Sequence, residues 1–388
     1  MTNRQTTRSS QLMATPPTPL SAQPVAWKNI SVLRGAAMFL VVLNHATAGS
    51  GILIQSASNQ PGHHRLGDVI VELLLRNLTP VCLPSFLFAS GYFMFRFQST
   101  WKSALAAARA IAMRYLIWAI AGYAVLSIIR HELNARQILV GLLTVGPFSA
   151  YWFLLLFIQF ALLAPWLGAL VRRAPRTTLA GLVFVQLLVS YLCYRNANDL
   201  PGLVGSHSAF QNCPFFLLGM SFSAHADELM RTLQPWRKYS TLAACGLFGM
   251  TCAESVVLGH LFGDGTPGTY DYSGTRISFV LFSTVTIALV LTSHSNPNKL
   301  RVRLDYLGTR SLALLLLVDP TMFTMLIGLW HSNRLLGLAP VSITAAPPWV
   351  RGTWSIVPLL LTGLFGPLLA LGIVERLFGK RVKNFLFG

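Results

Sequence analysis

Leu33-Arg34-Gly35-Ala36-Ala37-Met38-Phe39-Leu40-Val41-Val42-Leu43-Asn44-His45 is the run from which the fold is read. It lies in the first long apolar stretch, about 30–50, and holds a guanidinium and an imidazole eleven positions apart. A helix turns about 100° per residue, so His45 returns to within about 20° of Arg34, about 16 Å farther along the axis. Two such groups on one stripe of an apolar helix are costly in hydrocarbon and point to a functional site. Each has a plainer reading: Arg34 snorkelling to lipid headgroups, His45 bonded to a nearby carbonyl. Their common face favours the functional reading.

The rest of the chain extends this pattern. Of 388 residues, 53% are hydrophobic and 11% charged, with mean hydropathy +0.56; a soluble domain has about 25% charged residues. The composition predicts an all-α, polytopic membrane helix bundle. Ten apolar spans can be drawn, at about 30–50, 69–95, 105–129, 151–171, 177–194, 207–223, 239–262, 276–293, 308–330 and 354–375. Pro80 and Pro84 predict a kink or unwound segment in the second. Pro214 and Gly219 interrupt the sixth, the weakest.

The net charge of +18 suggests a nucleic-acid partner only until its distribution is read. The basic residues cluster between spans, as the positive-inside rule requires. With a cytoplasmic N-terminus, 18 Lys and Arg fall in cytoplasmic segments and 7 in outer loops, the latter including Arg276. Both termini are then cytoplasmic. The expected organisation is a disordered cytoplasmic tail (1–27, rich in Thr, Ser, Gln and Pro), a ten-helix membrane domain (28–376) and a short basic cytoplasmic tail (377–388). Ala46-Thr47-Ala48-Gly49 resembles a signal-peptidase site, but the long span behind a polar tail reads as a retained first helix. The five cysteines lie mostly in apolar spans without a CxxC pair, as small core residues.

Further intramembrane charges are candidates. Glu72 and Arg76, four apart, are helix neighbours; they form a self-neutralising ion pair, or Glu72 orients His45 or an acceptor hydroxyl. Arg114, Glu254 and Asp319 are further candidates, and Asp319, before Pro320, could line a cavity at a helix break. Three outer clusters, His63-His64-Arg65, Phe148-Ser149-Ala150-Tyr151-Trp152 and Tyr270-Asp271-Tyr272, read first as interfacial residues. The aromatic ones leave room for a stacked sugar. His63-His64 lacks a third ligand, so no metal is expected.

The run from Arg34 to His45 resembles the Arg-x10-His signature of the integral-membrane acyltransferase family 3. Further stretches resemble that family in order. Pro84-Ser85-Phe86-Leu87-Phe88-Ala89-Ser90-Gly91-Tyr92 is similar to its Ser-Gly segment, Arg109 to Trp118 to its basic run into an aromatic helix, and Tyr151-Trp152-Phe153-Leu154 to its Trp-Phe-Leu segment. Phe215-Phe216-Leu217-Leu218-Gly219-Met220 and Leu307-Gly308-Thr309-Arg310-Ser311-Leu312 resemble two more. The chain departs after Leu312, where the family often runs through Tyr to a His. Here the sequence is Ala313-Leu314-Leu315-Leu316-Leu317-Val318-Asp319-Pro320, and Asp319 stands near that His.

The resemblance implies ten spans in a bacterial inner membrane and transfer of an acyl group, by default acetyl, from cytoplasmic acyl-CoA. The acceptor would be a hydroxyl of an envelope or exported polysaccharide, or of its lipid-linked precursor. It implies Arg34 and His45 as the essential pair and acetyl-CoA as a substrate; the intramembrane charges Glu72, Arg76, Arg114 and Asp319 stand beside them as secondary candidates, with Arg114 joining Arg34 on the donor side. Expected partners are this donor, the glycan acceptor and membrane lipids. Two alternatives stay open: a transporter or flippase for a glycan or lipid-linked sugar, and a non-catalytic partner in polysaccharide export.

Overall fold

The computed structural model describes residues 25–58, 73–97, 100–130, 134–144, 146–195, 209–262, 275–293, 298–335 and 348–387. These residues are helical with short connections and no strand among them. We number the helices α1 (Val25–Ser58), α2 (Leu73–Phe97), α3 (Trp101–Arg130), α4 (Ala135–Thr144), α5 (Trp152–Arg173), α6 (Pro175–Arg195), α7 (Ala209–Ala224), α8 (Ala226–Leu233), α9 (Arg237–Phe262), α10 (Ile277–Thr292), α11 (Lys299–Thr309), α12 (Ser311–Leu335) and α13 (Pro348–Phe387). A backbone without water must bond to itself, which leaves helices as the economical way for these apolar runs to cross hydrocarbon.

Among the described residues, seven helical segments are long and apolar enough to cross a membrane: Trp27–Thr47, Leu73–Phe97, Trp101–Ile128, Trp152–Arg173, Pro175–Leu192, Ala226–Gly259 and Ile356–Phe387. Where three further spans were expected, the helices are Ala209–Ala224, Ile277–Thr292 and the apolar part of α12, Ser311–Met325. Large apolar side chains face outward, with Leu143 73% and Leu242 75% exposed. That suits a surface solvated by lipid tails.

The breaker residues behave unequally. Pro80 sits in a 3-10 turn, Thr79–Val81, that interrupts α2, while Pro84 lies in the regular helix that resumes at Cys82. The interruption expected at Pro214 and Gly219 does not occur: α7 runs unbroken through both. Gly219 serves packing instead. A Cβ there would sit 2.0 Å from the Phe88 carbonyl oxygen, and one on Gly91 of α2 would sit 1.9 Å from that of Phe216. This reciprocal glycine pair lets α2 and α7 touch backbone to backbone, the small-residue device of membrane helix association.

The same device fixes α11 against α1. A Cβ on Gly35 would meet the Leu304 carbonyl oxygen at 1.7 Å, and one on Gly308 that of Ser31 at 2.0 Å. Helix α11 is N-capped by Asn298, whose side chain accepts from the Arg301 amide at 2.7 Å. Arg301 in turn bonds the side chains of Asn29 and Ser293, tying the start of α1 to the end of α10. Helix α12 then rises beside α1 in the same direction, with α13 packed on both. Gly379, at φ +80°, kinks α13 near its end; Lys383 pairs with Glu375 across the kink at 2.6 Å.

Candidate functional site

Arg34 and His45 both reach for α12. The Arg34 Nη2 donates to Ser311 Oγ at 2.6 Å, and its guanidinium lies over the Phe93 ring, 5.5 Å from the centroid. The His45 Nδ1 stands 2.8 Å from Asp319 Oδ1. The shared stripe read from the eleven-residue spacing is therefore real: its two polar groups meet partners on one neighbouring helix. Gly35 and Gly308 make this possible, because their contact sets the distance between α1 and the start of α12 at Ser311.

Asp319 is the buried member, 8% exposed, and its second oxygen is also used. Oδ2 accepts the Ala150 amide at 2.7 Å. That amide is presented by a 3-10 turn, Ser149–Tyr151, just ahead of α5. A buried carboxylate needs such donors to remain charged away from water. Held from both sides, it orients the imidazole: with the Nδ1 proton directed at Asp319, the basic lone pair belongs to Nε2.

Pro320 explains the neighbouring contact. Proline has no amide hydrogen, so the carbonyl four residues back loses its helical partner. That carbonyl belongs to Leu316, and the Tyr151 hydroxyl donates to it at 2.9 Å. Helix α12 therefore continues through Pro320 rather than breaking beside Asp319. Tyr151, read from sequence as an interfacial ring, is fully buried and packs edge-on to Phe148 and Tyr115. The signal was the Tyr151-Trp152-Phe153-Leu154 resemblance; nothing in the sequence tied it to Asp319.

The other candidates lie elsewhere. Glu72 and the clusters at His63-His64-Arg65 and Tyr270-Asp271-Tyr272 fall outside the described residues. Arg76 is on an exposed face of α2. Arg114 donates through Nε to the Phe385 carbonyl at 3.4 Å, and Trp118 donates to that of Leu386 at 3.3 Å, so both hold the end of α13.

Arg276, assigned from sequence to an outer loop, is 2% exposed. It precedes the first residue of α10 and turns inward, Nη2 donating to Asn77 Oδ1 at 2.7 Å and Nη1 to the Thr251 carbonyl at 3.1 Å. Beside it the two oxygens of Glu254 accept the hydroxyls of Tyr194 and Ser278, and the Ile277 amide donates to the Tyr194 oxygen at 3.0 Å. Asn77 and Thr79 flank the start of the α2 interruption, and Thr79 donates to Asn44 Oδ1 at 2.8 Å. This second polar cluster thus grips α1 one residue before His45. No sequence signal linked its members, which come from α1, α2, α6, α9 and α10.

No curated protein and no solved structure gives a significant match to the chain. The family model described as an acyltransferase domain matches residues 27–374, a range that includes the Arg34–His45 stripe, Asp319 and the turn that holds it. With that match over most of its length, the chain belongs to the integral-membrane acyltransferase family 3 and is a membrane acyltransferase.

Proposed function

We propose that the protein is an O-acyltransferase that moves an acyl group, acetyl by default, from acyl-CoA on the cytoplasmic side to a hydroxyl of an envelope or exported polysaccharide or its lipid-linked precursor, in the inner membrane of a bacterium. The observation that carries this reading is the His45–Asp319 contact at 2.8 Å, on the stripe that Arg34 begins. Hydroxyl acylation needs a base that can accept a proton and return it, and an imidazole held in one tautomer by a carboxylate is suited to that. Among the described residues Arg34 makes one hydrogen bond, to Ser311. A guanidinium has five N–H donors, so donors remain for the donor's phosphates or thioester oxygen.

The steps follow from these roles. Arg34 holds the donor, whose pantetheine arm runs along α1 toward His45, about 16 Å on. The His45 Nε2 takes the proton of the acceptor hydroxyl as its oxygen attacks the thioester carbonyl. Collapse of the tetrahedral adduct breaks the carbon–sulfur bond, and the imidazolium returns the proton to the leaving thiolate. The products are the O-acyl ester and free CoA. Asp319 stabilises the imidazolium formed in between.

The test is genetic and chemical. A deletion strain complemented with wild-type protein should regain the O-acetyl signals in the NMR spectrum of its surface glycan. Complementation with His45→Ala at equal protein level should not. Acetylation by that variant at the wild-type level would end this reading.

A further inference from the structure

Seven residues before Arg34, the same stripe of α1 holds Trp27. Eighteen residues separate Trp27 from His45, which is five full turns, so Trp27, Arg34 and His45 lie on one line at about 0, 10 and 27 Å along the axis. Trp27 packs edge-on against Phe93 and Phe97, with centroids 5.0 and 5.7 Å away. Phe93 and Phe97, one turn apart on α2, are nearly parallel at 18° and 6.5 Å. The Arg34 guanidinium covers Phe93 at 5.5 Å, while Phe97 is 57% exposed. Lys28 and Arg96 flank the rings in sequence; Arg96 bonds the Tyr92 hydroxyl at 3.5 Å.

We propose that the Trp27–Phe93–Phe97 cluster is the docking platform for the adenine ring of the acyl donor, so that the enzyme selects a nucleotide-bearing thioester over the same thioester without its nucleotide. The inference rests on the acyl-CoA reading above. An aromatic belt residue needs only an interface; it needs neither a half-buried guanidinium laid on the adjoining ring nor a cation next to it in sequence on each helix. The order along α1 is ring platform, cation, base. The order along acyl-CoA is purine, phosphates, thioester. Purines stack on aromatic faces and on guanidinium planes, so a donor laid along α1 would place each part against a side chain of matching chemistry.

The test uses the full chain in phosphatidylcholine nanodiscs and reads equilibrium binding, which needs no acceptor. The probes are CoA and 4′-phosphopantetheine, the same arm without the nucleotide. Wild type should bind CoA more tightly. Phe97→Ala should weaken CoA about fivefold or more, the usual scale of one lost base–aromatic stack, and leave 4′-phosphopantetheine unchanged. Phe97→Trp should restore CoA binding. Adenosine 3′,5′-bisphosphate should compete with CoA in wild type and less well in Phe97→Ala. Equal weakening of both probes would mean that Phe97 only packs the entrance, and an unchanged CoA affinity would mean that lipid covers the rings; either overturns the platform and leaves the transferase reading standing. If wild type binds neither probe, the acyl-CoA reading itself fails.

Discussion

Two consecutive residues of α1 reach into two different buried polar clusters. His45 turns to Asp319 on α12, and Asn44 to Thr79 on α2, beyond which lie Asn77, Arg276 and Glu254. Both clusters contain buried ionisable groups, and each would be flagged as functional on burial alone. They differ in what those groups do. On the Arg276 side, the carboxylate of Glu254 is occupied by two hydroxyls and the guanidinium bonds an amide oxygen and a carbonyl. Tyr, Ser, Arg and Glu have no ordinary proton exchange near neutrality. On the His45 side, the carboxylate holds an imidazole, the one side chain that ordinarily gains and loses a proton there. The lesson is that buried charge locates a polar cluster, and the chemistry of its members separates a reactive one from a brace.

The largest expected effect breaks that comparison directly. His45→Ala should lower acyl transfer by about 10²–10⁴-fold, the scale of a lost general base, a far larger effect than the stability cost of about 1–3 kcal/mol from leaving Asp319 Oδ1 without its donor. Asp319→Asn should lower transfer too, because an amide can present its N–H to Nδ1 and favour the wrong tautomer. Rates per mole of purified protein, beside melting curves in detergent, would check both. If His45→Ala lost stability rather than rate, the two clusters would be alike and both would be braces.

The mirror experiment is next in size. Arg276→Ala leaves Asn77 Oδ1 and the Thr251 carbonyl without that donor. The Thr251 carbonyl keeps its helical partner within α9, so the stranded Asn77 Oδ1 sets the loss at about 1–3 kcal/mol, to which the lost packing of the buried side chain adds. Transfer per folded molecule should change far less than in His45→Ala. A collapse in turnover at unchanged melting temperature would place Arg276 in the chemistry.

These clusters were not equally legible. Arg34 and His45 could be paired from sequence because both sit on one helix, where angular spacing is arithmetic. Asp319 was visible as a buried charge, but its link to His45 crosses 274 residues of chain and depends on how α12 packs on α1. The burial of Arg276 was missed because it sits at a helix end, where a charge reads as an exposed loop residue unless its partners are known. The helical, membrane-spanning character was legible throughout from apolar run length. The role of glycine was not: Gly219 was expected to break α7, and it allows contact with α2, since a missing Cβ reads alike in a kink and in a close approach.

That ambiguity can be tested on the reactive side. Gly35→Ala would force a methyl group against the Leu304 carbonyl, 1.7 Å from its ideal position. Overpacking of this kind costs about 1–3 kcal/mol, and here relief requires α11 to move away from α1. Ser311 would move with it, so loss of the Arg34 contact should raise the donor KM more than it lowers kcat. Gly308→Ala, acting on the same contact from the other helix, should behave alike. The double variant should then be less than additive, because both substitutions push the same pair of helices apart.

The smallest effect is the most specific. Tyr151→Phe removes only the hydroxyl that satisfies the Leu316 carbonyl, left over by Pro320. The ring still fills its place between Phe148 and Tyr115, so stability should fall by about 1–3 kcal/mol, the cost of one unsatisfied buried acceptor. The double change Tyr151→Phe with Pro320→Ala is sharper. Alanine restores an amide hydrogen able to bond Leu316 within the helix, so the second substitution should recover part of what the first lost. Recovery in the melting temperature would show that Tyr151 serves the backbone of α12 and that only the Ala150 amide serves Asp319. Failure to recover, with transfer still reduced, would instead tie the Tyr151 hydroxyl to the Asp319–His45 pair and extend the reactive cluster by one residue.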